Sequence, residues 1–136
     1  MFIKQLTVFL ENKDGRLEQV TQTLRNNDIN ILSITLADTR DFGVLRIIVS
    51  DPENGLKALT DANFSAKLVD VIGVKVAHQV GKLHEMLRCL SAEKIGISYM
   101  YLLDSGKMPS MIIKTSDNKK AISVLEDNNY ETLNNA

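Results

Sequence analysis

An α+β fold made of one βαββαβ unit used twice is what this 136-residue sequence predicts. Three observations carry the prediction. Short runs rich in β-branched and aromatic residues alternate with stretches whose apolar residues recur every three or four positions. Clusters of Asp, Asn, Gly and Pro separate these runs where strands and helices should end. The second half of the chain also repeats the first at one constant offset.

Taken in order, FIKQLTVFL at residues 2–10 reads as a strand bounded by a polar cluster. Leu17, Val20 and Leu24 then mark an amphipathic helix from about Gly15 to Asn27, with Asp14 as its expected N-cap. INILSITLADT at 29–39 is the second strand. Asp38, Thr39, Arg40 and Asp41 turn the chain into a third, FGVLRIIVS. Pro52 after Asp51 opens a second helix carrying Leu56 and Leu59. SAKLVDVIGVKVAH, residues 65–78, is a long apolar run with an expected break at Gly73. The resulting order, β-α-β-β-α-β, is the ferredoxin-like arrangement of an antiparallel sheet with helices on one face.

Sliding the chain by 66 positions leaves 136 − 66 = 70 ungapped pairs, of which 14 are identical. They include Val8/Val74, Gly15/Gly81, Leu24/Leu90, Ile29/Ile95, Leu36/Leu102, Ser50-Asp51/Ser116-Asp117, Leu59/Leu125 and Asn63/Asn129. The pairs fall at matching structural roles, so the chain is a tandem duplication with units at 1–70 and 71–136. Units this small have little core of their own. With no Gly/Ser/Pro linker between them, they are expected to pack together, side by side or face to face. Homodimerisation would cover the remaining sheet surface.

Composition narrows the function class. Apolar residues at 44% and charged residues at 24% describe a soluble globular chain rather than a disordered one. A formal charge of −1 supplies no attraction to nucleic acid or to an anionic membrane. No apolar run approaches the ~20 residues that span a bilayer, and the N-terminus lacks a signal peptide's basic region. Cys89 is the single cysteine, which excludes an intrachain disulfide and suits a reducing cytoplasm.

Known chemistries find few parts. His78 and His84 stand six apart on different elements without a Cys partner, so no metal site is expected. No spacing suggests a nucleophile with its base, and no cofactor motif is present. Phe42 sits where an RNA-recognition strand carries an aromatic, but Val44 and Arg46 occupy its alternate positions, and Met108-Pro109-Ser110-Met111 has none. Tyr99 and Tyr101 alternate along a strand and are read as packing residues. Asp38, Thr39 and Arg46 are read as turn and solvated-strand residues at the border of a pocket.

The repeated strand-to-helix entry carries the functional reading. Its two forms are Asn12-Lys13-Asp14-Gly15-Arg16-Leu17 and His78-Gln79-Val80-Gly81-Lys82-Leu83. Glycine permits a tight turn and close approach of a ligand. Free N–H groups at a helix start favour an anion such as a carboxylate. The plain alternative is that both glycines serve only the turn.

The βαββαβ order, this entry, and the Ile-Asn-Ile opening of the second strand resemble the ACT domain, a family of small regulatory modules that bind amino acids. The resemblance covers nearly the whole chain as two ACT units, and is closest to stand-alone tandem-ACT proteins. It implies a free amino acid as ligand, held at the interface of two units between a first loop and a neighbouring second strand. A homodimer and an amino-acid-metabolism enzyme are the partners it allows, with no catalysis by the chain itself. Carried over by position, the first pocket takes Asn12, Lys13, Asp14, Gly15, Arg16 and Leu17 with Asn30, Ile31 and Leu32. The second takes His78, Gln79, Val80, Gly81, Lys82 and Leu83 with Ile97, Ser98 and Tyr99. Where the family has Pro before the Gly, this chain has Asp14 and Val80. Asp14 would set a carboxylate where a ligand carboxylate approaches, and Val80 makes the second loop less polar, so the first loop is the better expected site. The alternatives are an assembly module whose loops are only turns, and a small enzyme on the same scaffold.

Overall fold

The computed structural model describes residues 2–39, 41–104 and 109–134. Arg40 of the expected turn and Met108 of the expected strand lie outside the described residues. The chain forms two compact units: Lys4–Val69, and Asp70–Ala136 together with Met1–Ile3.

The elements are β1 (Ile3–Glu11), α1 (Arg16–Asn26), β2 (Ile31–Asp38), β3 (Phe42–Val49), α2 (Pro52–Asp61), β4 (Ser65–Lys75), α3 (Lys82–Ala92), β5 (Ile97–Asp104), β6 (Pro109–Thr115), α4 (Asn118–Asp127) and β7 (Thr132–Leu133). In the N-terminal unit the strands neighbour one another in the order β2-β3-β1-β4, and in the C-terminal unit in the order β5-β6-β4-β7. Counted from each unit's own first strand, both are 2-3-1-4. The pairings β1–β3, β2–β3, β4–β6, β5–β6 and β4–β7 are antiparallel. Each unit is therefore a ferredoxin-like α+β fold, as the sequence predicts.

The core of the N-terminal unit lies between the sheet and its helices. Leu6, Val8 and Leu10 are alternate residues of β1, so they share one face. They cluster with Leu45, Ile47 and Val49 of β3, Val20 and Leu24 of α1, and Leu59 of α2. The C-terminal unit repeats this with Ile72, Val74, Met86, Leu90, Ile113 and Leu125. Within each unit the two helices pack on one another, α1 on α2 and α3 on α4.

The identities at offset 66 have local causes. Each helix ends with a left-handed residue just past its C-cap: Asp28, Asn63, Lys94 and Asn129 have φ of 58°, 67°, 57° and 67°. The next residue's N–H then reaches back to a leucine carbonyl: Ile29 to Leu24, Phe64 to Leu59, Ile95 to Leu90 and Tyr130 to Leu125, at 2.9–3.0 Å. The left-handed residue itself donates to Arg25, Thr60, Ser91 or Glu126 at 3.0–3.1 Å. This double bond pattern with an apolar pair across it is the Schellman motif. Ser50 and Ser116 accept from the N–H groups of Asn30 and Gly96 at 2.9 and 3.0 Å. Asp51 and Asp117 cap α2 and α4 by accepting from the N–H groups of Asn54 and Lys120.

Two expectations are corrected. Asp14 is not the N-cap of α1: that position is Gly15, with φ 82°, and no side chain bonds to the cap. Gly81 does the same for α3 with φ 86°. A left-handed backbone strains any side chain, which is why both copies hold glycine there. Gly73 does not break its run, since β4 continues through it to Lys75. It marks crowding instead: a Cβ added there would lie 2.6 Å from Ile3 Cδ1 and 2.9 Å from Leu133 Cδ1. A glycine can hold a strand position where another chain segment presses close.

Candidate functional site

The β1–α1 loop of the N-terminal unit meets the far end of β2 and the start of β3 in an open cleft of about 190 Å³. Its apolar wall is Leu10, Leu17, Leu36 and Phe42, with Gly43 beside them. Its polar groups are Glu11, Asn12, Lys13, Arg16, Asp38 and Thr39. The β2–β3 hairpin brings the second group in, because Asp38 pairs with Gly43 in the strand register. Thr39 closes that turn, its N–H and hydroxyl both donating to the Phe42 carbonyl at 2.8 Å. The Phe42 ring stands edge-on to Phe9 with centroids 5.9 Å apart, which fixes the wall.

Arg16 is held in an unusual way. Its guanidinium lies 4.3 Å above the Phe64 ring centroid, and Nη1 donates to Gln19 Oε1 at 2.7 Å. Its Nε is buried and has no acceptor among the described residues. A buried donor left unmatched costs about 1–3 kcal/mol, a penalty that an acceptor reaching it would relieve. The helix beginning at this residue has no side-chain cap, while α2 and α4 have aspartates. The two uncapped helices, α1 and α3, are the two that start at the clefts.

Glu11 and Lys13 form an ion pair at 3.0 Å on the rim. Lys13, by hydrogen bonding and charge, and then Arg16 hold the Glu11 carboxyl below its ordinary range. A depressed carboxyl contributes stability above its unfolded pKa that is lost as pH falls through the folded one. Glu11 is fully exposed and screened, so the effect on folding is small. Lys13→Ala is expected to move the Glu11 titration up toward the ordinary carboxylate range, with Arg16 still holding it somewhat below, read from its side-chain carbon by NMR. An unchanged titration would assign the shift to another cause.

The C-terminal unit has the equivalent cleft, about 130 Å³, lined by Val76, Ala77, His78, Gln79, Leu83, Leu102, Pro109 and Met111. Seven of these eight match N-terminal lining positions at the offset of 66. Of the first expected set, the structure brings together Asn12, Lys13, Arg16 and Leu17, and of the second His78, Gln79 and Leu83. Asp14 and Gly15 are exposed and outside the lining, so the Asp14 carboxylate does not occupy the cleft. Asn30 and Ile31 border a different hollow at the other end of α1, beside Thr21, Arg25 and Asp28. Leu32, and on β5 Ile97, Ser98 and Tyr99, line neither loop cleft. Val80 projects fully into solvent. Gly81 is the left-handed cap, and Lys82 turns to Glu85 at 3.4 Å, entering an adjoining hollow with Lys75, Tyr130 and Glu131. There burial first, then Cys89 and Glu85, push the Tyr130 phenol up.

Sequence reasoning missed Leu36, Phe42 and Gly43 and gave Asp38 and Thr39 a lesser role. The Leu36/Leu102 identity was the available signal. No group of three His, Cys, Asp or Glu that could hold a metal occurs among the described residues. No helix of the described residues is long and apolar enough to cross a membrane.

The model of one family, ACT domain pair, matches residues 1–136. The solved structure of protein BT0572 from Bacteroides thetaiotaomicron is 41% identical with a TM-score of 0.92, covering 98% of this chain and 92% of that one. The ligand-free regulatory subunit of aspartate kinase from Thermus thermophilus is 17% identical with a TM-score of 0.64, covering 91% of each chain. The regulatory subunit of aspartate kinase from Thermus flavus is 15% identical with a TM-score of 0.60, covering 91% of this chain and 90% of that one. These last two share the fold. No curated protein matches the chain.

Proposed function

Because the chain belongs to the ACT domain pair family, we propose that it is a regulatory, non-catalytic sensor of a free amino acid, built from ACT units at 1–70 and 71–136. The N-terminal loop cleft is its primary ligand site. The observation that carries this reading is that Arg16, whose buried Nε has no acceptor among the described residues, lines a cleft beside an uncapped helix. An α-carboxylate supplies the missing acceptor, in a charge-assisted bond roughly twice as strong as a neutral one. Asp38, also lining the cleft, is an acceptor of matching sign for the ammonium, and the leucine wall receives part of the side chain.

The signal passes on by differential affinity: a ligand that binds one arrangement better shifts the population toward it. The responding equilibrium is association with a second copy or with an amino-acid-metabolism enzyme in the cytoplasm. Exposed Ile34 and Leu36 on β2, an edge strand of its unit, support self-association.

A thermal-shift panel of the twenty amino acids at millimolar concentration tests the reading. A ligand at a hundred times its Kd stabilises the native state by about 2.7 kcal/mol, and each kcal/mol raises Tm by roughly 2–8 °C. At least one amino acid should raise Tm by several degrees. If none does, and Tm instead depends only on protein concentration, the chain is an assembly module.

A further inference from the structure

The two loop clefts occupy equivalent places in the two copies but carry opposite chemistry. Four charged side chains, Glu11, Lys13, Arg16 and Asp38, line the N-terminal cleft. Among the described residues, no Asp, Glu, Lys or Arg lines the C-terminal one. At the offset of 66, Glu11 becomes Ala77 and Lys13 becomes Gln79, while Asp38 corresponds to Asp104, which is outside the lining. Lys82, the counterpart of Arg16, is drawn to Glu85 and lines an adjoining hollow that shares Val76 and Ala77 with the cleft. What remains is an apolar pocket of Val76, Leu83, Leu102 and Met111, with His78 and Gln79 as its polar members.

We propose that the C-terminal cleft is a site for a small aliphatic amino acid (valine, leucine or isoleucine), so that one chain reads two ligand chemistries. The inference rests on reading the strand-to-helix cleft as a ligand site, and on nothing peculiar to the N-terminal copy. A charged ligand side chain entering the C-terminal cleft would lose hydration without gaining a partner. An aliphatic one meets apolar walls on which its burial is favourable. The cleft is smaller, about 130 against 190 Å³, which suits a short branched chain. The head group has matching parts. The N-terminus of α3 has no side-chain cap and can take a carboxylate. The Gln79 amide oxygen is an acceptor for an ammonium. Mostly apolar lining with a few convergent polar groups is the usual make-up of a small-molecule site.

Methyl-labelled protein followed by NMR tests the assignment. L-Valine at millimolar concentration should shift the methyls of Leu83, Leu102 and Met111 and leave those of Leu17 and Leu36 in place. Leu102→Asp, at an exposed position on β5, should weaken valine binding roughly tenfold or more. No valine shifts, or equal shifts in both clefts, would overturn the proposal. So would unchanged valine affinity in Leu102→Asp. In the same experiment, valine shifts confined to the C-terminal cleft, with no charged amino acid shifting Leu17 or Leu36, support it and count only against the N-terminal site.

Discussion

Leu24→Ala is expected to destabilise the protein by about 2–5 kcal/mol, the range for truncating a buried leucine to alanine. Leu24 is fully buried, and it serves the fold twice. Its side chain joins the helix face to β1 and β3, and its carbonyl accepts the Ile29 N–H that ends α1. The truncation leaves the backbone bond possible but removes the apolar contact across the Schellman turn, so the cavity and the loosened turn add. Domains this size are stable by only ~5–15 kcal/mol, so the loss is a large share. Leu90→Ala repeats the experiment in the second copy, where Ile95 donates to the Leu90 carbonyl at 3.0 Å. Urea denaturation measures both. A loss below about 1 kcal/mol in either would mean that the site collapses around the smaller residue and the packing account is wrong.

Arg16→Ala is expected to remove most of the response to whichever amino acid stabilises the native chain best, while leaving the fold in place. Hydrogen bonds to charged groups contribute about 1.5–3 kcal/mol, which is roughly a 10- to 150-fold loss of affinity. The half-buried side chain lies over the core residue Phe64 and bonds to Gln19 without itself being a core residue, so the unliganded Tm should fall little. Arg16→Lys should recover only part of the binding, because an ammonium lacks the planar fork that stacks on Phe64 while offering a second donor. Isothermal titration of the three proteins separates the outcomes. Full affinity in Arg16→Ala would remove Arg16 from the site and with it the main support for a ligand there.

Much of the fold was legible in the sequence because its determinants are local. The Schellman leucines with their following apolar residues, the aspartate caps and the left-handed glycines each act within six residues. A duplication preserves such short-range patterns, so they recur at 66 and place α1/α3, β2/β5 and α2/α4 in identical registers. Asp14 was misread because a polar residue before a helix resembles an N-cap, whereas the positive φ of Gly15 moves the cap one residue on. Gly73 was misread because a glycine in an apolar run looks like a break until the segments pressing on it are known.

The lining of the candidate cleft was legible by half. The loop residues Asn12, Lys13, Arg16 and Leu17 announce themselves by following the first strand and entering a helix. Their companions lie 20 to 30 positions away, and nothing in their local pattern distinguishes Leu36 or Phe42 from any strand residue. By itself the sequence determined the repeat, the order of elements and the helix ends, since these depend on hydrogen bonds and turns between near neighbours. Only the tertiary structure decided which end of β2 meets the loop, that Asp14 stays out of the cleft, and that Arg16 faces it while Lys82 turns away. Those outcomes follow from strand register and from the partner each side chain finds across the fold, Phe64 for one cation and Glu85 for the other.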